Sequence, residues 1–395
     1  MERIVSFVRS RLPIIRSRLE AGVEIRPASV ARYLFCEGMS MKSKVFFVPV
    51  KDAEDIDAVN RQLDVLLKGS EILSVLEKRG AVAVKMHFGE EGTDSFVRPD
   101  HLRLLCGEIA KKGAVPYLSD ANTLYRGKRL NCEDHLEVAK AHGFTKEAVG
   151  AEIVIPDDRK EENVADVPID REFIKRAKVC RCYLDAGALV AVTHFKGHGM
   201  TSFGGTLKNL GMGCATRAGK LAQHCDAVPS IYEDKCIGCG ECETVCPVGA
   251  LHMENDKSVL DTEKCIGCAS CVAVCPSMAL FVDFLAGDKI QKKMVEYAYA
   301  ILKEQEGKAC FLNFAVRINK ECDCWSYGNE RIAPDVGILA SLDPVAIDKA
   351  SLDLVNECCG KEIFVEFHPG KDPMVQLEYA QSLGLGSLDY ELVRL

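Results

Sequence analysis

Tryptophan is nearly absent from this chain: Trp325 is the only one among 395 residues. No uninterrupted apolar run approaches the ~18 residues that a membrane-spanning helix needs, so no membrane span is expected. Positive charge is in deficit, with 50 Lys and Arg against 58 Asp and Glu and a net charge of −8, which argues against nucleic acid as a partner. The N-terminus lacks the apolar centre and cleavage site of a secretory signal. What the chain has in excess is cysteine, 20 in all. Secreted disulfide scaffolds are short, so the expectation is reduced thiols that hold metal in a cytoplasmic protein.

Residues 1–40 differ from the rest. They carry seven arginines, four glutamates and no lysine, a local balance of 7 − 4 = +3. Four acids count against an organelle transit peptide, and a true start near Met39 or Met41 is expected. This N-terminal extension is set aside from the fold.

From Lys44 onward, strand and helix patterns alternate. "KVFFVPV" (44–50), "AVAVKMHF" (81–88), "AVPYLSD" (114–120), "AEIVIPD" (151–157) and "AGALVAVTHF" (186–195) read as strands. Amphipathic helices are expected at 53–79, 101–113, 133–144 and 170–179. After a cysteine-rich block the alternation resumes with a helix at 288–306, strands at 308–318 and 335–342, and a helix at 344–358 that starts at Pro344. The apolar strands end in polar clusters: "GEEGTD", "DANTLYRG", "HFKGHGMTSFGG" and Asp343. Ligands of open α/β sheets bind beyond the carboxyl ends of strands, so these four clusters are expected to converge on one crevice.

The strongest signal is a repeat. "CIGCGECETVCP" (236–247) and "CIGCASCVAVCP" (265–276) share the spacing C-x2-C-x2-C-x3-C-P. In two-cluster bacterial ferredoxins the fourth cysteine of each run ligates the other cluster. One 4Fe–4S cluster would take Cys236, Cys239, Cys242 and Cys275, and the second Cys265, Cys268, Cys271 and Cys246. A zinc ribbon would need one set of four, and two complete copies argue against it. Residues 230–285 hold nine acids and three lysines, 3 − 9 = −6, an acidic face suited to a basic redox partner protein. The expected fold is α/β: a mostly parallel, doubly wound sheet domain (41–229 and 286–395) with an inserted α+β bacterial ferredoxin-like domain (230–285).

Between His194 and Lys220 lie seven glycines, two histidines, three lysines and one arginine, with no acid. Exposed amides and lysines make an anion cradle, although the spacing of a Walker loop is absent. The candidate acid–base and anion-binding residues are His87, Glu90, His198 and Lys208. Asp120, Asn122, Tyr125 and Arg126 form a further polar exit. "ECDCW" (321–325) places Cys322 and Cys324 one residue apart beside the single tryptophan. With His194 and His198 they make a candidate Cys2His2 set for zinc or mononuclear iron. Two alternatives stand beside it: a third cluster that uses Cys214, and a plain thiol pair, redox-active or structural.

"VKMHFGEEG", "SDANTLYRG", "HFKGHGMTSFGGTLKNLGMGC", the two ferredoxin runs and "CDCW…APDVGILASLDPVAID" together resemble the domain of unknown function 362 family. The resemblance is to those iron–sulfur members that carry an inserted bacterial-type two-cluster ferredoxin, and it covers roughly residues 44–358. It implies an α/β domain, two 4Fe–4S clusters and a redox role, and it supplies no substrate. A ferredoxin-wired oxidoreductase acting on an anionic small molecule is the expected function. A non-catalytic electron-transfer or cluster-carrier protein and a redox sensor are the alternatives.

Overall fold

The computed structural model describes residues 42–124, 127–224, 229–246, 248–265, 270–281, 287–325 and 330–395. The N-terminal extension, Tyr125, Arg126 and Cys268 lie outside the described residues. Ser43–Leu395 form one compact unit.

Eight strands build the main sheet: β1 (Ser43–Pro49), β2 (Gly80–Lys85), β3 (Ala114–Ser119), β4 (Glu152–Val154), β5 (Ala188–His194), β6 (Ala309–Ala315), β7 (Gly337–Ser341) and β8 (Tyr390–Arg394). Their spatial order is β8-β1-β7-β6-β5-β2-β3-β4. Neighbours run parallel, except that β7 opposes both β1 and β6. Side chains alternate between the faces, as a pleat requires. Val82, Val84, Val190, Val192, Leu312 and Ile338 pack under the helices Ile56–Ser70 and Pro99–Lys111. Ala83, Leu189, Ala191, Phe311 and Leu339 face the helices Asp288–Glu304 and Pro344–Cys359 on the other side. Both faces are therefore covered, which is why β5 reads as a continuous apolar run.

Local signals explain the element ends. Ile56–Ser70 buries Val59, Leu63, Leu66 and Leu67, a stripe of helical period, and the Asp55 carboxylate caps it by accepting from Ala58 N–H at 2.9 Å. Glu71, in the left-handed region at φ 54°, stops it, so the helix expected over 53–79 ends at Ser70 and a short turn of tighter helix follows at Ile72–Leu76.

Two expectations need correction. Residues 170–179 are not a helix: Arg176–Cys180 is a strand paired antiparallel with Val164–Pro168. Asp170 turns at φ 46°, and the Phe173 and Ile174 N–H groups donate to the Glu296 carboxylate instead of to a helical carbonyl. Asp343 does not join the crevice. Because β7 runs backwards, its carboxyl end lies at the opposite edge of the sheet. There Asp343 caps the helix Pro344–Cys359 through Val345 and Ala346 N–H and accepts from Ser43 Oγ at 2.6 Å.

The cysteine-rich block holds two short antiparallel pairs, Ser230–Ile231 with Leu280–Phe281 and Leu251–Glu254 with Lys257–Leu260. Its own small core is made by Cys242, Leu251, Cys271, Cys275, Ala279 and Leu280.

Candidate functional site

Four parallel strands, β3, β2, β5 and β6, release their chains at the same edge of the sheet. Lys85 and His87 leave β2, Asp120 leaves β3, the glycine-rich loop leaves β5, and the Cys322–Cys324 turn follows β6. They line a cavity of about 490 Å³, and its remaining wall comes from the cysteine block: Val272, Cys275, Pro276, Met278, Leu280 and Phe281.

Lysine dominates the sheet side. Lys85 is buried and donates to the Met86 carbonyl (2.6 Å), Asp120 Oδ1 (3.0 Å) and Asn209 Oδ1 (2.9 Å). Gly213 must be glycine here, since a Cβ would lie 2.6 Å from Lys85 Nζ and 2.1 Å from the Asn209 carbonyl. Burial opposes ionisation of Asp120, but Lys85, with His87, His135 and Arg129, holds its carboxyl well below the usual range. Lys220, on the helix Arg217–His224, donates to the Ala215 carbonyl at 2.6 Å and also lines the cavity.

The histidines differ in their freedom. His87 has Gly89 N–H 2.9 Å from Nδ1 and the Arg129 guanidinium 3.0 Å from Nε2. Burial and Arg129 push it well below the usual imidazole range. Glu90 is not on the cavity wall: it accepts from Arg129 Nε at 3.0 Å and so orients the arginine that faces His87. His194 Nδ1 lies 2.9 Å from both Asp323 oxygens, and its Nε2 is 3.0 Å from the Val316 carbonyl, so both nitrogens are turned to oxygens. His198 accepts at Nδ1 from Thr201 N–H (3.2 Å) and Met200 N–H (3.3 Å), with Thr201 Oγ1 2.9 Å away. Its N–H therefore sits on Nε2. Burial, with Lys208 beside it, pushes His198 well below the usual range.

Cys322 and Cys324 line the cavity, and Lys208 Nζ lies 3.3 Å from Cys322 Sγ. The hydrogen bond from Cys324 drives Cys322 well below the usual thiol range, with Lys208 and Lys196 adding to it. The same bond drives Cys324 up. Asp323, between them, is fully buried and accepts from Ser95 Oγ at 2.6 Å, with Lys196 Nζ 3.2 Å away. Cys214 lies in the apolar core instead, and burial pushes its thiol up to about 12. Among the described residues, no three or more His, Cys, Asp or Glu gather closely enough to hold a metal ion. The expected Cys2His2 set is thus drawn apart: its histidines bond to Asp323 and Thr201, and its thiols to each other and Lys208.

A second, small cavity of about 10 Å³ lies within the cysteine block, lined by Cys236, Cys239, Cys242 and Cys275. Ser258 N–H points at Cys236 Sγ (3.4 Å), Ala279 N–H at Cys275 Sγ (3.2 Å) and Ala250 N–H at Cys246 Sγ (3.1 Å). Burial opposes ionisation of Cys275, but the N–H groups of Leu280, Ala279 and Ser277 and the Ser277 hydroxyl lower it. Four cysteines thus line one gap, with backbone amides aimed at the sulfurs of Cys236 and Cys275. Cys275 stands on the walls of both cavities.

Buried neutral histidines make the fold acid-sensitive. Burial, then Arg317, lowers His101 to about 4, and burial, with Arg129, lowers His135 to about 3. Below pH 6.5 the unfolded chain binds protons that the native state refuses, so stability is lost as pH falls from 6.5 towards these values. Two such groups contribute a slope of about 3 kcal/mol per pH unit. A urea midpoint clearly lower at pH 5.5 than at pH 7.5 is expected, and equal midpoints would contradict this.

Asp323, Arg129 and Asn209 are absent from the sequence-based candidates. Asp323 had a signal, its place between two cysteines; Arg129 and Asn209 had none beyond polarity.

A family model described as Domain of unknown function (DUF362) matches residues 82–353. Ferredoxin-2 of Desulfomicrobium norvegicum is 55% identical over 29 residues, 7% of this chain and 49% of that protein. The lactate racemase apoprotein from Thermoanaerobacterium thermosaccharolyticum shows 16% identity and a TM-score of 0.36, with 69% of this chain and 50% of that chain covered. A protein from Thermotoga maritima shows 12% identity and a TM-score of 0.36, with 84% of this chain and 60% of that chain covered. The chain thus spans about half the length of the ferredoxin and of the racemase apoprotein.

Proposed function

This chain belongs to the family described as Domain of unknown function (DUF362), and from that premise we propose that it is an iron–sulfur oxidoreductase that acts on a small anionic substrate in the large cavity. Two 4Fe–4S clusters would be held in residues 230–285, the first by Cys236, Cys239, Cys242 and Cys275, the second by Cys265, Cys268, Cys271 and Cys246. The observation that carries the reading is the double position of Cys275, on the wall of the four-cysteine gap and on the wall of the cavity. The short match to a ferredoxin supports it. Clusters bound there would supply single electrons at the cavity wall.

The chain's own residues do the rest. Lys85, Lys208, Lys220 and Arg129 line the cavity against one carboxylate, Asp120, which leaves a surplus of positive charge, and a substrate that bears carboxylate or phosphate groups fits that lining. His198, neutral and oriented by Thr201, offers its Nε2 hydrogen to an oxygen of the bound molecule. Lys208 is held in its charged form: burial works against its charge, yet the Cys322 and Cys324 sulfurs and Asp323 raise it above the usual lysine range. Exposed Glu233, Asp234, Glu241 and Glu243 make the cysteine block a docking face for a basic redox partner protein.

Chemically reduced protein should be reoxidised by anionic acceptors and far more slowly by cationic ones. His198→Ala is expected to slow that reaction about 10²-fold, the cost of one lost oxyanion donor, with iron content unchanged. Equal rates in the two proteins would overturn the assignment of the cavity as the reaction site.

A further inference from the structure

Electron transfer to a bound molecule leaves Cys322 and Cys324 without a task, although both stand on the cavity wall. They differ from the structural thiols of this chain. Cys106 and Cys310 lie in the apolar core, where burial alone pushes each up to about 12. Cys322 instead has Lys208 Nζ 3.3 Å away and Cys324 as a hydrogen-bond partner. The turn beneath them is fixed, because Ser95, His194 and Lys196 hold Asp323 from behind. A rigid turn that presents two mutually bonded thiols beside a cation is suited to making and breaking a bond between them.

We propose that Cys322 and Cys324 form a two-electron dithiol–disulfide couple that reduces a small anionic disulfide in the cavity. This deepens the oxidoreductase reading and rests on it only for the electrons that reset the couple. The Cys322 thiolate attacks one sulfur of the substrate disulfide. A mixed disulfide forms, the substrate S–S bond breaks, and the leaving thiolate takes a proton from Lys208. Cys324 then gives its proton to the Lys208 amine and attacks Cys322 Sγ. The Cys322–Cys324 bond closes, and the second substrate thiolate leaves and takes a proton from water. The substrate is reduced by two electrons and the protein thiols are oxidised by two. The reset takes two electrons and one proton, drawn from an iron–sulfur donor in single steps or from an added dithiol.

The test uses the full chain, reduced with dithiothreitol and freed of it without oxygen, then mixed with oxidised glutathione or with cystamine. The couple predicts two thiols released per chain and a peptide cross-linked at 322 and 324 by mass spectrometry, faster with anionic glutathione disulfide than with cationic cystamine. Cys324→Ser is expected to stop at a mixed disulfide on Cys322 with one thiol released. Lys208→Met should slow the first step about tenfold, as the thiolate loses its cation. If both cysteines stay open to alkylation in the parent, or if Cys324→Ser traps nothing on Cys322, the couple is wrong. Iron counted in the same sample separates the two readings. Iron-free protein that still closes the 322–324 bond keeps the couple and removes the clusters, whereas iron-loaded protein whose thiols stay open does the reverse.

Discussion

Cys275→Ser is expected to lower the iron content from about eight to about four atoms per chain, one cubane of two, and to abolish electron delivery to the cavity. The expectation follows from the double position of this residue. In the small cavity it lies with Cys236, Cys239 and Cys242; in the large one it lines the same space as Lys208 and Cys322. Serine keeps the size of the side chain but gives a far weaker ligand for iron. The amides of Leu280, Ala279 and Ser277 that lower the Cys275 thiol would remain in place without a sulfur to serve. Cys106→Ser is the control: that thiol is buried filler under the sheet, and its loss should leave the iron count unchanged. Cys246→Ser is expected to remove a similar amount of iron from the other cluster, with less effect on the cavity, because Cys246 does not line it. An unchanged iron count in Cys275→Ser, measured on folded protein, would contradict the ligand assignment.

Asp323→Ala is expected to cost about 3–5 kcal/mol of stability, the typical cost of removing one partner from a buried ion pair. The Asp323 side chain is fully buried and joins Ser95, His194 and Lys196 at 2.6, 2.9 and 3.2 Å. The substitution leaves Lys196 and His194 facing one another without the carboxylate. Burial opposes the charge on Asp323, yet His194 and Lys196 hold its carboxyl well below the usual range, so it is ionised throughout the working pH range. The main-chain carbonyl of residue 323, which accepts from Glu90 N–H at 2.9 Å and ties the turn to the exit of β2, is kept in the variant, so the loss is that of the carboxylate alone. Asp323→Asn keeps the shape and removes the charge, so a smaller loss is expected for it. Urea midpoints of the three proteins at pH 7.5 decide the matter, and an alanine variant as stable as the parent would show that the turn is held by something else.

The sequence made the sheet legible where strands are long and apolar. β5 is buried on both faces, so its residues announce themselves without a competing pattern. The polar exits of β3 and β5 were legible for the same reason, since apolar runs stop at Asp120 and His194; β2 ends earlier, at Lys85, than the expected strand 81–88, and its cavity residues Lys85 and His87 precede the "GEEGTD" cluster. Direction was not legible. The residues of β7 look like those of any buried strand, and only its pairing with β1 and β6 reverses it and carries Asp343 away. Residues 170–179 misled because helix and hairpin compete in a short charged segment, and the Glu296 carboxylate, over a hundred residues away, settles it. At the site, both the cysteines after β6 and His198 could be named in advance. What binds them could not: His194 and His198 stand four residues apart, which invites a shared metal. The tertiary fold gives one of them to Asp323 and the other to Thr201.

Iron and acid-labile sulfide, counted on protein purified without oxygen, test the central claim most directly. Two clusters predict a brown protein with about eight of each per chain. Colourless protein free of both would contradict the account.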